Sequence, residues 1–479
     1  MDMRLLKICL LVLPLFVCMA VFCQNRNNPN LSEQRLKELL RDSTIYPKQE
    51  KSYSYNVPAG AKYTEIRAID TANPPAIIDI VGNINNKKAF KLSDIASSVR
   101  YIMLLPPPEH EIRYISSIIS DDNHIFVNTY FGLYCYDTQG QFLHAPYINQ
   151  IIYPEIIPPV AKANSQEIII HNNPFSSYTA GHIDLLNGKL VFRTSDEFSP
   201  GSWLNVFDVK QLDAQMSVFT RPGELKTINP EPDYMRPINR QGGILLKYLW
   251  LDDQSIFINS TLTNIAITGD TLCKFNNYDV PTFNPEADRI SENINSYRLN
   301  GQVTLQKSYN DTVFRVIPPN RLLPAFVMNW GNSKPDINQH VAGSALEGKF
   351  VLQNWVETPR FVFIHYTEGR DYPLRRDQGK VKDHWAVYDK TTKTLTHCLL
   401  SSPPARVGYT LIPPIFDNDI ETAGMPFYPK GVNHRGEMYM TFSKLDVFRY
   451  IESGQFPKDK LQTIYDNMPD DSFCLMLVK

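Results

Sequence analysis

Between Glu357 and His384 the chain reads TPRFVFIHYTEGRDYPLRRDQGKVKDHW, which carries Arg360, His365, Tyr366, Arg370, Arg375, Arg376 and Lys382. Guanidinium groups grip carboxylates and phosphates by two-point bonds, and aromatic rings supply flat apolar faces with a polar edge. The stretch therefore suits an anionic or sugar-like ligand. A second polar group, Asp417-Asn418-Asp419, offers side-chain oxygens two residues apart. Such oxygens can ligate Ca²⁺, but more ordinarily they accept from nearby backbone N–H groups in an Asx turn, and the turn is preferred. Ligand-binding residues are expected at Arg360, His365, Tyr366, Asn418 and Asp419. No catalytic residue, metal ligand or cofactor is assigned.

Other arrangements resemble catalytic ones and fail on spacing. His110-Glu111 opens like a zinc-protease H-E-x-x-H, yet the fifth position is Tyr114, and that site needs two histidines one helical turn apart. The acidic pairs Asp121-Asp122, Asp252-Asp253 and Asp470-Asp471 invite a two-carboxylate glycosidase reading. Adjacent carboxylates rarely aim at one bond, and the first two pairs hold equivalent places in a repeated phrase. They read as turns.

That repeat defines the elements that must position any site. SDDNHIFVN (Ser120 to Asn128) and LDDQSIFIN (Leu251 to Asn259) share a turn followed by a strand ending in Asn. Looser copies are LNGKLVF at Leu186, LNGQVTL at Leu299, LEGKFVL at Leu346 and HRGEMYM at His434, making six. A second, alternating strand follows: LYCYD, LNVFD, WAVYD and the looser IAITGD, TVFRV and LDVFR. In four copies the two units lie about a dozen positions apart, as successive antiparallel strands do. In the fifth copy they lie much further apart, and the excess reads as a long loop, where binding residues tend to sit. Several short strands per unit, repeated along the chain, predict an all-β, six-bladed β-propeller over residues 76–479. A β-sandwich also has short, evenly spaced strands, but gives no reason to repeat one phrase. Two apolar strands outside the repeats, VRYIMLL from Val99 and FCLMLVK from Phe473, are expected to pair and close the ring.

Residues 24–75 form a lead-in, extended apart from one short helix over LSEQRLKELLRD (Leu31 to Asp42), with Ser32 as N-cap. Ahead of it, Arg4 and Lys7 precede an apolar run from Ile8 to Phe22, and Gln24 opens a polar stretch. That run is short for a membrane span and suited to a secretory signal over residues 1–23. An exported protein is expected, periplasmic, outer-membrane-associated or extracellular, with no transmembrane segment after cleavage. Acylation at Cys23 is disfavoured, because Phe22 is bulky where a lipoprotein signal carries a small residue. Cys135, Cys273, Cys398 and Cys474 remain, without C-x-x-C spacing. They read as buried apolar residues on strands, with one or two disulfides as the alternative. A net charge of −2 gives no basic surface excess for nucleic acid.

KLSDIASSVRYIMLL, YNDTVFRV, DNDIETAGMPFYPKG and CLMLVK resemble phrases of a family of secreted six-bladed β-propeller proteins of unknown function from gut Bacteroidota. The resemblance runs from Ile77 to Lys479 and implies the propeller fold and export, without an activity. DNDIETAG stands where that family tends to have Asn-Asp-Ile-Asp-Gly-Gly, so a role for the second Asp of that run does not carry over. Two classes of function follow: a non-enzymatic module binding a glycan, peptide or cell-envelope protein, or a polysaccharide hydrolase or lyase with its site at the channel mouth. Catalysis needs an acid/base pair converging on one bond, and no such pair is near in sequence. Binding is therefore the expected role.

Overall fold

A computed structural model describes residues 61–105, 115–129, 132–148, 183–195, 202–210, 226–228, 248–259, 262–267, 270–276, 294–307, 309–335, 348–369, 381–399, 405–407, 410–412, 416–421, 424–454, 458–470 and 472–479. The expected export signal, the lead-in helix, His110 to Tyr114, Arg370, Arg375 and Arg376 lie outside them.

Five antiparallel four-stranded meanders follow one another in chain order. The first holds Ile115–Ser120, His124–Thr129, Gly132–Asp137 and Phe142–Ile148. The second is Asp184–Leu186, Lys189–Ser195, Ser202–Asp208 and Lys226–Ile228, and the third is Tyr248–Asp252, Ser255–Ile258, Thr263–Ala266 and Thr271–Lys274. The fourth is Ile294–Leu299, Gln302–Lys307, Thr312–Ile317 and Arg321–Asn329, and the fifth is Phe350–Glu357, Phe361–Glu368, Lys382–Asp389 and Thr394–Cys398. A composite sheet takes Gly431–Val432, Met438–Ser443 and Phe473–Val478 from the end of the chain and Val99–Leu104 from near its start. The expected pairing of the two terminal strands is present, running antiparallel from Phe473↔Leu104 to Val478↔Val99.

The repeated phrase marks the turn between the first and second strands. Asn187-Gly188 and Asn300-Gly301 both have positive φ at each residue (49° and 75°, 50° and 77°). They join Leu186↔Lys189 and Leu299↔Gln302 as two-residue hairpins, the geometry that selects Asn-Gly. In the acidic versions a carboxylate replaces glycine's freedom with hydrogen bonds. Asp121 Oδ1 accepts from the N–H groups of Asn123 (2.8 Å) and His124 (2.7 Å), and Asp252 Oδ1 from Gln254 N (2.9 Å).

Two copies fall elsewhere. LEGKFVL leads into the first strand of the fifth sheet, and the equivalent turn there is Thr358-Pro359-Arg360, closed by Phe361 N donating to Thr358 Oγ1 (2.8 Å). The segment expected as a long loop is therefore a strand with its turn, Phe361–Glu368, within the sheet. LDVFR, expected as a strand, lies in the helix Lys444–Ser453. Ser443 caps it reciprocally with Asp446 (Asp446 N to Ser443 Oγ 3.2 Å, Ser443 N to Asp446 Oδ2 2.9 Å). Val447 and Tyr450, one helical turn apart, are its buried residues, so the helical period overrides the apparent alternation.

Consecutive sheets bury apolar faces against each other. Phe126 and Cys135 of the first meet Leu190 of the second, whose Val191 meets Trp250 and Ile256 of the third. Phe257 then packs with Leu305 and Phe314, and Phe326 with Trp355 and Val362. Phe363 and Val387 pack with Met440 and Met476 of the composite sheet, and Leu475 with Ile118 and Tyr134 of the first. The succession returns to its start, a β-propeller arrangement. The four cysteines are unpaired and lie on strands.

The chain ahead of the composite sheet laces the fourth strands together. Lys62 N and Tyr63 N donate to Thr271 and Leu272 of the third sheet. Ile66–Arg67 and Ala76–Asp79 run parallel to Arg321–Asn329 of the fourth, and Lys87–Lys88 parallel to His397-Cys398 of the fifth. Leu92 N then donates to Asp417 O (2.8 Å) before the chain enters the composite sheet. Each added strand covers an edge that would otherwise be open to pairing.

Candidate functional site

The second strand of the fifth sheet, Phe361–Glu368, carries two expected ligand-binding residues side by side. Because strand side chains alternate between faces, His365 and Tyr366 point into different environments.

His365 stands in register between Asn354 and Trp385. Its ring stacks on the Trp385 indole (centroids 4.6 Å apart, planes 3° apart). Its Nε2–H donates to Asp383 Oδ1 (2.9 Å), on a side chain only 7% exposed. On the same side Asn354 Nδ2 donates to the Tyr428 hydroxyl (2.7 Å), and burial pushes the Tyr428 phenol up to about 12. The result is an imidazole fixed in tautomer and plane by a carboxylate.

Tyr366 is fully buried on the opposite face, between Phe350, Trp330 and His384. Its hydroxyl bonds His397 Nε2 (2.9 Å), while His397 Nδ1 bonds the Asn83 carbonyl (2.9 Å). A carbonyl only accepts, so Nδ1 carries the hydrogen and Nε2 accepts from Tyr366. Burial drives His397 down to about 4, against the opposing pull of the Asn83 bond, which matches a neutral ring.

At the end of the first strand, Glu357 is buried beneath the fourth sheet. Arg315 Nη1 and Nη2 donate to its two oxygens (2.8 Å each), joined by the Tyr297 hydroxyl (2.7 Å) and Lys390 Nζ (3.0 Å). Burial opposes its charge, but the Arg315 bonds outweigh it and hold Glu357 below the usual carboxylate range.

The other expected residues do not converge on either face. Arg360 sits in the turn at the far end of the strand, 60% exposed and ion-paired with Asp389 (2.9 Å). Asn418 is buried, and its Oδ1 accepts from the N–H groups of Ile420 (3.2 Å) and Glu421 (3.3 Å), the expected Asx turn. Asp419 is exposed and accepts from Ser93 N (2.9 Å) and Ser93 Oγ (2.7 Å). Sequence reading missed Asp383, His384, His397, Glu357, Arg315 and Tyr297. Their partnerships depend on strand register and inter-sheet packing, and no spacing along the chain signals either. Among the described residues no His, Cys, Asp and Glu side chains group so as to hold a metal ion, and no helix is long and apolar enough to cross a membrane.

No curated protein matches the chain. Among solved structures, a candidate exported protein of Bacteroides fragilis NCTC 9343 is similar at 12% identity and a TM-score of 0.42, covering 84% of this chain and 99% of its own. A Staphylococcus aureus virginiamycin B lyase is similar at 10% identity and a TM-score of 0.32 (80% and 99% covered). A Bacteroides caccae protein of unknown function is similar at 11% identity and a TM-score of 0.33 (63% and 94% covered). Residues 58–453 match the model of a domain of unknown function, DUF4933, and the chain belongs to that family.

Proposed function

We propose that this chain is an exported, six-bladed β-propeller acting as a non-enzymatic binding module for a glycan, a peptide or a cell-envelope protein. The composite sheet packs on both its neighbours, which supports its role as the sixth blade. The apolar run Ile8 to Phe22 supports export.

One observation carries the binding reading. The ionisable groups of the fifth sheet are matched inside the protein: His365 with Asp383, His397 between Tyr366 and Asn83, and Glu357 among Arg315, Tyr297 and Lys390. Groups held this way set the shape of a surface and are poorly placed to shuttle protons to a substrate. Within the proposed ligand-binding set, Arg360 and Asp419 present charge to solvent and His365 a partly accessible ring. Tyr366 and Asn418 are buried and hold the backbone in place.

Purified protein from Gln24 to Lys479, incubated on glycan and peptide arrays, tests this reading. Retention without product supports it, and Arg360→Ala, His365→Ala and Asp419→Ala then weaken retention of the captured ligand. Product formation overturns it in favour of a polysaccharide hydrolase or lyase, with the His365–Asp383 pair as the first residues to examine.

A further inference from the structure

A cleft enclosing about 450 Å³ of open space lies between the composite sheet and the first sheet, away from the residues discussed above. Ile102, Ile118, Ile125, Leu475 and Leu477 make its floor aliphatic, and the turn Asn433-His434-Arg435 forms one rim. At that rim three N–H donors converge on one oxygen. Arg435 Nη2 (2.8 Å), Arg435 Nε (3.2 Å) and His434 Nε2 (3.2 Å) all point to Asp122 Oδ1. The His434 ring is set for this role by Ser120, whose Oγ lies 3.1 Å from Nδ1. With the serine hydroxyl donating to Nδ1, the remaining hydrogen sits on Nε2 and faces the oxygen.

The carboxylate filling this three-donor point is itself 76% exposed, on a turn of the neighbouring sheet. An exposed ion pair contributes little to stability, so an incoming carboxylate can replace Asp122 without disturbing the fold. The far rim does not compete for the same oxygen. There Glu437 is bonded by Asn433 Nδ2 (2.8 Å) and lies 3.6 Å from Arg100, which keeps that guanidinium engaged.

We propose that this cleft binds a monocarboxylate with a short aliphatic body, the carboxylate taking the place of Asp122 on Arg435 and His434 and the aliphatic part covering the floor. The site is independent of the fifth-sheet reading. Its space is that of a small-molecule pocket, apolar with a few convergent polar groups. A peptide C-terminus ending in an aliphatic residue and a free branched aliphatic acid share this chemistry.

Calorimetric titration of the protein from Gln24 to Lys479 with N-acetyl-leucine, N-acetyl-leucine amide and 4-methylpentanoate tests the proposal. Saturable binding of either carboxylate and none of the amide is expected. N-acetyl-leucine alone points to a peptide terminus; equal binding of both acids points to an aliphatic acid. Asp122→Ala, which removes the internal competitor, tightens binding several-fold, whereas Arg435→Gln weakens it at least tenfold with an unchanged melting temperature. A merely structural role for Asp122 predicts no tightening. No saturable binding to the Asp122→Ala variant, equal binding of the amide, or indifference to Arg435→Gln overturns the proposal.

Discussion

Replacing Glu357 by Gln keeps its size and removes its charge, which makes it the sharpest probe of the packing between the fourth and fifth sheets. The Glu357 side chain is 1% exposed, and its partners Arg315 and Lys390 are 18% and 23% exposed. An amide has one acceptor oxygen, so one of the two 2.8 Å contacts from Arg315 becomes a donor facing a donor. Two cations are also left beside each other without their counter-charge. Removing one partner of a buried ion pair costs about 3–5 kcal/mol, and that loss is expected here. Urea unfolding followed by tryptophan fluorescence reads it as a lower midpoint at constant slope. Arg360→Ala serves as the contrast, since its exposed pair with Asp389 is worth at most about 1 kcal/mol. The double variant Glu357→Leu, Arg315→Met removes both charges and is expected to regain most of the loss. The folded value of Glu357 is depressed, so its contribution is complete above the unfolded value of about 4.3 and is lost as pH falls through the lower folded value. A loss below about 1 kcal/mol for Glu357→Gln, the level of an exposed pair, refutes the reasoning.

Two buried groups act in opposite directions at mildly acidic pH. Burial pushes Asp184 up to about 6 despite Arg298, so the folded protein binds a proton there first and stability falls as pH rises from the unfolded carboxylate value to about 6. Burial pushes His397 down to about 4, so stability rises between pH 4 and its unfolded value of about 6.5. Relative to wild type over that window, Asp184→Asn steepens the rise of stability with pH and His397→Gln removes part of it; unfolding curves at successive pH values with parallel profiles for all three proteins contradict both assignments. A Cβ on Gly424 would stand 2.1 Å from Asn418 Nδ2, so Gly424→Ala displaces the buried amide from its turn and costs about 1–3 kcal/mol, measured as a lowered midpoint. The protein from Gln24 to Lys479 contains four unpaired cysteines, so thiol titration in denaturant without reductant finds all four, and a lower count contradicts the unpaired assignment.

The strand pattern was legible because each turn declares itself chemically. Asn-Gly supplies positive φ and Asp-Asp supplies a side-chain acceptor, and both sit at fixed distance from an apolar run. The pairing of Val99–Leu104 with Phe473–Val478 was legible because two apolar strands without repeats of their own must cover each other's edge. Where the turn chemistry changes, reading failed. Thr358-Pro359-Arg360 closes its hairpin through a threonine hydroxyl and lacks either signal, so the following strand read as a loop. LDVFR alternates like a strand over five residues, and only its reciprocal cap and the spacing of Val447 and Tyr450 mark a helix. The site was legible as a set of residue types and not as a place. His365 and Tyr366 are adjacent in the chain and face different sheets, while Asp383 and His397, their partners, come from two other strands.

Ring closure by the chain's two ends underlies the propeller arrangement and every site placed on it, and one substitution tests it directly. Ser98 and Lys479 exchange both backbone hydrogen bonds, and alternation along the ladder makes Met103↔Cys474 a non-hydrogen-bonded pair. Cα atoms in such a pair lie about 4.5 Å apart, within the span of a disulfide. Met103→Cys, oxidised in the folded state and mapped by mass spectrometry, is expected to give a single crosslink between positions 103 and 474. A protein that stays uncrosslinked under those conditions, or joins position 103 to a different cysteine, contradicts the closure.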